Sequence, residues 1–372
     1  MPSNTLTSSR GWLADLPLWT IVTPVVALIV LAAATIFDPS SNVAFVAIVG
    51  VSLAGSVLAA VHHAEVVAHR IGEPYGTLVL ALAVTLIEVA LIVSLMIAGG
   101  SEAIGLARDT VFAAVMIILN GIIGLCLLVG GFKHREQSFS LDGVSAALVA
   151  LSAIVVLALV FPNYTTTLPG PYYSDSQLML IAVVSLVIYL AFVFAQTIGH
   201  RGFFVTDESA PEPAHHSPPP GNSAAVVSAI LLMACLTAVV LLAKKLAPSL
   251  EAAVSHVGAP DAVVGVIIAA IVLLPEGLAA LRAARANRLQ TSLNLALGSA
   301  LASIGLTIPA VSILSLYMHT RLQLGINAES TVLLTLSLFV TAIALRTGRT
   351  IFLHGTVLLV IFVVYLFTTV VP

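Results

Sequence analysis

The chain has 372 residues, of which 59% are hydrophobic and only 8% charged, with a formal net charge of −3 and a mean hydropathy of +1.12. A water-soluble domain carries roughly 25% charged residues, because something must face water. That balance excludes a soluble globular protein and points to an all-α polytopic membrane protein. The two cysteines, Cys126 and Cys235, both sit in apolar runs without partner spacing, which excludes a disulfide framework or a cysteine zinc site.

About 20 apolar residues are needed to cross the hydrocarbon as a helix. In chain order that predicts eleven spans, near 17–37, 42–62, 77–99, 110–131, 141–161, 177–198, 223–243, 260–281, 291–316, 328–346 and 350–371. The first is too long for a signal-peptide core and reads as a retained span. The second is expected to run past the membrane, and the ninth to be long and tilted. With the N-terminus in the cytoplasm, the inner side holds ten cations: Arg10, Arg70, Lys133, Arg135, Arg201, Arg282, Arg285, Arg288, Arg346 and Arg349. The far side holds four, namely Arg108, Lys244, Lys245 and Arg321. Cytoplasmic loops are the basic ones, so this count supports both the orientation and the odd number of spans. The three arginines after Glu276 serve first as a topology anchor.

The long polar stretch VTDESAPEPAHHSPPPGNS, residues 205 to 223, carries five prolines and reads as a loosely extended linker. Its acids and its His215-His216 pair read as solvated. The expected organisation is therefore an N-terminal tail and first helix over 1–40, spans 2–6 over 41–200, the linker over 201–222, and spans 7–11 over 223–372.

Ionisable residues inside spans are costly and usually face the protein interior or a water-filled path. Glu88 lies in TLIEVAL near the middle of span 3, and Glu276 lies in LLPEGLA in the inner half of span 8. Each is followed by a loop and then a span with small or polar residues. Those are Asn120 and Gly121 after Glu88, and Asn294, Ser299 and Ser303 after Glu276. The two glutamates sit on spans running in opposite directions. Five spans followed by five more must enter the membrane inverted the second time, and inverted repeats with polar groups meeting near the midplane are a transporter architecture. Pro275 removes a backbone hydrogen bond beside Glu276, and irregular backbone at this depth is tolerated where it lines a cavity.

Two facing carboxylates in a poorly hydrated site resist being ionised together. Such a site holds either protons or a cation, and mutually exclusive occupancy is the basis of antiport. Calcium takes six to eight hard oxygen ligands; the carboxylates, hydroxyls such as Thr85 and Ser303, the Asn120 amide and freed carbonyls supply several. Glu88 and Glu276 are the candidate metal ligands, with the ion as cargo. The run HHAEVVAHR places His62, His63, Glu65 and His69 at the inner end of span 2, with Glu65 and His69 on one helical face. Its plain reading is an interfacial polar turn; its functional reading is a proton path or pH sensor, since imidazole titrates near neutrality. A hydrolase would need a nucleophile with a base or an HExxH motif, and neither occurs within a span. A channel would need a ring of ligands.

The stretch GEPYGTLVLALAVTLIEV, together with LLPEGLAALRAARANRLQTSLNLALGSALASIGLTIP, resembles the ChaA-type calcium/proton antiporters of bacteria, in the cation/proton exchanger branch of the calcium/cation antiporter superfamily. The resemblance spans nearly the whole chain. It implies an extra first helix, two inverted five-helix halves, a cytoplasmic linker and alternating-access export of a cation against protons across a bacterial inner membrane. It carries the two principal ligands to Glu88 and Glu276, the amide to Asn120, a Gly-Ser pair to Gly298 and Ser299, a Gly-Glu pair to Gly72 and Glu73, and a further acid to Glu65. The family's Gly-Asn-Ala-type stretches are replaced here by Val84-Thr85-Leu86 and Val272-Leu273-Leu274. A histidine after the second glutamate becomes Gly277, and a glutamine becomes Ala302. Fewer oxygen ligands leave sodium or potassium as the alternative cargo. The implied partners are an inorganic cation, protons and lipid, with no cofactor and no nucleic acid; a homo-oligomer stays open.

Overall fold

The computed structural model describes residues 16–37, 42–72, 75–99, 104–204, 220–256, 258–260 and 262–371. It is nearly all helical. In chain order the helices are α1 (Leu18–Ile36), α2 (Val43–Ile71), α3 (Tyr75–Gly99), α4 (Leu106–His134), α5 (Leu141–Tyr164), α6 (Asp175–Gly199) and α7 (Asn222–His256). Then come a broken span, α8a (Ala262–Val272) and α8b (Leu274–Arg285), and finally α9 (Leu289–Met318), α10 (Ala328–Leu345) and α11 (Phe352–Val370). Among the described residues, nine helices are long and apolar enough to cross a membrane, and the broken pair makes ten as one span. α3 has 25 residues, with Thr85–Ile97 as its described apolar stretch, and completes the expected series. Large apolar side chains such as Ile29, Val187, Phe339 and Val363 stand out from the helix surfaces, where lipid and not water is the solvent.

Three features differ from the sequence expectation. α7 runs to His256, well past 243, because LLAKKLAPSLEAAVSH ends the apolar run but is rich in good helix formers (Leu, Ala, Lys, Glu), which carry the helix through Pro248; hydropathy marks the membrane, propensity the helix. Span 8 is not continuous: it breaks at Leu273 with a 55° bend. Two three-residue strands, β1 (Glu136–Ser138) and β2 (Arg349–Ile351), pair antiparallel with Gln137 opposite Thr350. They are too short to leave an alternating pattern.

The described residues divide into two compact units, one drawn from Met1–Val84 and Pro213–Leu242, the other from Thr85–Glu212 and Ala243–Pro372. In the first, α1 packs along α2, with Gly55 of α2 close enough to Thr23 that a Cβ there would come to 3.0 Å. His63 is fully buried and bridges three helices: Nε2 meets the Thr20 carbonyl of α1 at 3.0 Å and Nδ1 meets Ser228 Oγ of α7 at 3.3 Å. A carbonyl only accepts, so Nε2 carries the proton and Nδ1 accepts from the serine.

In the second unit α4 is the central helix. Its first half packs on α8a, and its second half on α8b and α11. Between the halves, Ile117–Ile122 form a π-turn, a feature frequent at functional sites. The contact with α11 is backbone to backbone: a Cβ on Gly355 would lie 2.3 Å from the Leu128 nitrogen, and one on Gly131 2.4 Å from the Phe352 nitrogen. Small residues that let helix backbones touch are how helices associate in lipid, where apolar burial against hydrocarbon gains little. α9 lies against α5, α6 and α8b.

Candidate functional site

The site is built where α3, α4, α8b and α9 of the second unit carry their buried polar groups. Glu88 is 4% exposed and sits on α3 one turn after Thr85, itself buried, so the two share a face. Ser303 of α9 is buried and donates its hydroxyl to Glu88 Oε2.

Glu276 stands in the first turn of α8b, right after the break. The break has a local cause. Leu273 caps the helix, Pro275 occupies an early position where its missing N–H costs nothing, and Gly277 N reaches back to the Leu273 carbonyl at 2.9 Å. The chain thus trades one continuous helix for a fresh helix N-terminus at this depth. The N-terminal end of a helix carries partial positive charge, and Glu276 is placed there. Both its carboxylate oxygens are out of solvent, and among the described residues neither accepts a hydrogen bond from another residue. Glu88 lies close enough for the two negative charges to repel. A pair like this, one acid held by a hydroxyl and the other by a helix end alone, can bind a cation between them or take up protons in its place.

Asn120 is fully buried in the π-turn of α4, which packs against α8b, α9, α10 and α11. Its Nδ2 donates to Ser337 Oγ at 2.8 Å, and Ser337 passes its own proton to the Leu333 carbonyl. Its Oδ1 has no hydrogen-bond partner among the described residues. Ser299 is half-buried and precedes Ser303 by one turn of α9. The next residue in that row, Thr307, is fully buried with an unpartnered hydroxyl. Sequence reasoning passed over it, although the spacing of four in GSALASIGLT was the available signal. Asn294, by contrast, is committed elsewhere: it donates to the Phe204 carbonyl at 2.6 Å and accepts from Gln290. Gly277 packs on the π-turn, where a Cβ would meet the Ile122 side chain at 3.3 Å, a tight contact.

The remaining candidates belong to the first unit or fall outside the described residues. Glu65 and His69 lie on the exposed face of α2. His62 is half-buried, with its ring 5.8 Å from those of Trp19 and His63. Glu73 lies outside the described residues. Among the described residues no group of three or more histidine, cysteine or acidic side chains gathers to hold a metal. A cation in this site would therefore be met by two carboxylates and neutral oxygens.

The sequence matches the sodium/calcium exchanger protein family in two segments, residues 41–198 and 227–371. A protein from Sinorhizobium fredii is 47% identical over 361 residues, covering 96% of this chain and 98% of its own length. The sodium-potassium/proton antiporter ChaA of Escherichia coli is 37% identical over 321 residues, covering 86% of each chain. Among solved structures, that of the H+/Ca2+ exchanger CAX shares the fold with a TM-score of 0.71 at 15% identity, over 94% of this chain and 88% of that one. The relatives are transporters. The chain belongs to the sodium/calcium exchanger family, as a multi-span membrane protein.

Proposed function

We propose that the chain is a cation/proton antiporter whose exchanged ions compete for Glu88 and Glu276. The observation that supports this most is Glu276 itself: a carboxylate shut off from solvent, without a hydrogen-bond partner from another of the described residues, at a helix break and within charge range of a second buried acid. An ionised carboxylate in such surroundings is expensive unless a proton or a cation joins it. Asn120, Thr85, Ser299 and Ser303 are proposed as further ligands. Glu65, Glu73, His62 and His69 are proposed as proton path or regulatory groups.

Sodium or potassium is the favoured cargo. The relative at 37% identity is named as a sodium-potassium/proton antiporter, and the two stretches preceding the glutamates offer Thr85 as their one side-chain oxygen. Calcium is the second reading, favoured by charge: two carboxylates neutralise one divalent ion or two protons. The halves 41–200 and 223–372 are read as oppositely threaded repeats flanking the linker, which fits a family match in two segments. The N-terminus is read as cytoplasmic on the positive-inside count, and the membrane as a bacterial inner membrane by similarity to the Escherichia coli relative.

The test uses everted vesicles with a respiration-driven pH gradient reported by a quenched dye. Addition of sodium, potassium or calcium chloride to vesicles with the unaltered chain dissipates the gradient for the cargo ion. Glu88→Gln or Glu276→Gln, present at equal amount, abolishes that response. Full activity in either variant removes that residue from the ion site.

A further inference from the structure

The last carbonyls of any helix lack partners in their own helix and must find donors elsewhere. At the end of α8b, the chain's own backbone covers part of this need: Arg288 N meets the Ala283 carbonyl at 2.9 Å, and Asn287 N the Ala284 carbonyl at 3.1 Å. Three further donors come from about 150 residues earlier in sequence: Lys133 and His134 in the last turn of α4, and Gln137 just beyond it. Gln137 Nε2 donates both its protons, one to the Ala284 carbonyl and one to Asn287 Oδ1, each at 2.9 Å. Lys133 Nζ and His134 Nε2 converge on the Arg285 carbonyl at 2.9 and 3.1 Å.

Gln137 is placed for this purpose. It is 2% exposed and fixed in β1, and among the described residues its Oε1 has no partner, so its hydrogen bonds here are made by the NH2 group. Gly130 makes the space: a Cβ there would fall 1.8 Å from that Oε1. The support behind it is stiff, because the same end of α4 is locked backbone to backbone onto α11 through Gly131. What is gripped is a short rod. α8b has 12 residues, about 18 Å at 1.5 Å per residue, and Glu276 is in its first turn, behind a 55° break that uncouples it from α8a. Among its described surroundings the Glu276 carboxylate has no side chain to hold it. Its location is set by the rod, and the rod's far end is set by the clamp.

We propose that Gln137, backed by Lys133 and His134, is a positioning clamp that fixes Glu276 in the ion site through α8b. This rests on the antiport reading above. Gln137→Glu is nearly isosteric but turns two donated hydrogen bonds into a carboxylate facing two acceptors. Lys133→Met with His134→Ala removes the outer donors at a more exposed place that tolerates substitution. The measurement is the half-saturating concentration of sodium, potassium and calcium chloride, with the maximal rate and pH profile, for equal amounts of protein in everted vesicles. Gln137→Glu is expected to raise the half-saturating concentration on the order of 10-fold, since small misplacements of a reacting group are costly. Its pH profile shifts, and its maximal rate changes less. The Lys133-His134 pair moves in the same direction by about 3-fold.

Lowered protein amount with unchanged half-saturation and pH profile in the variants that reach the membrane would overturn the clamp, as that is the mark of a merely structural cap. If Gln137→Glu does not accumulate, the Lys133-His134 pair decides alone. Glu276→Gln in the same assay separates the two ideas. A fully active Glu276→Gln sinks the antiport site, whereas an inactive one beside unaffected clamp variants sinks the clamp only.

Discussion

At the scale of single residues, Glu88 and Glu276 are made unlike by their surroundings. Glu88 receives a hydroxyl from Ser303, and hydrogen bonds to charged groups contribute about 1.5–3 kcal/mol. Glu276 has a helix N-terminus and a neighbouring acid. Ser303→Ala removes the hydroxyl that donates to Glu88 and leaves the fold intact, because only that hydroxyl is lost. It is expected to weaken apparent cation affinity about 10-fold, read as half-saturation in vesicle transport; unchanged affinity would show that the contact does not serve the ion site. Thr307, one turn further along α9, is the residue whose role the geometry adds to the sequence reading. Thr307→Val keeps shape while deleting its unpartnered oxygen, and a loss of cation affinity without loss of stability would enrol it as a ligand.

At the scale of elements, two devices position these residues: a break in span 8 and a π-turn in α4. Pro275 announced irregular backbone beside Glu276, and the spacing of apolar runs announced the long apolar helices, though not the short helix Arg201–Phe204 at the start of the expected linker. The π-turn around Asn120 left no such mark, since it depends on how α4 and the broken span lie together. The same holds for β1 and Gln137, whose partners are 150 residues away. The α4–α11 contact makes its own prediction. Gly355→Val puts a branched side chain where a Cβ already meets backbone at 2.3 Å, and backbone cannot give way cheaply. A destabilisation of about 3 kcal/mol or more is expected, seen as a lower melting temperature of the detergent-extracted protein. Gly202→Ala, with nothing within 4 Å, serves as the unaffected control.

At the scale of the whole molecule, composition alone decided the solvent, and charge asymmetry among the loops gave a consistent threading. The two acids stood out in the sequence because each stands alone in an apolar run, where every charge is costly. What composition could not reach is how many neutral oxygens accompany them, and so which cation is carried. Competition between proton and cation for one site has a definite sign. Ligands must be deprotonated to bind, so acidification raises the cation concentration needed for half-maximal exchange, about tenfold per pH unit for each proton displaced. A half-saturation that does not change between acid and alkaline media would separate the two ions' sites.

The most direct test is proton release on cation binding, measured with the purified protein in weakly buffered detergent solution. The account predicts that adding sodium, potassium or calcium chloride expels protons in a saturating manner, that Glu88→Gln and Glu276→Gln each diminish the release, and that the double variant releases none. Saturable release that persists undiminished in the double variant would contradict it.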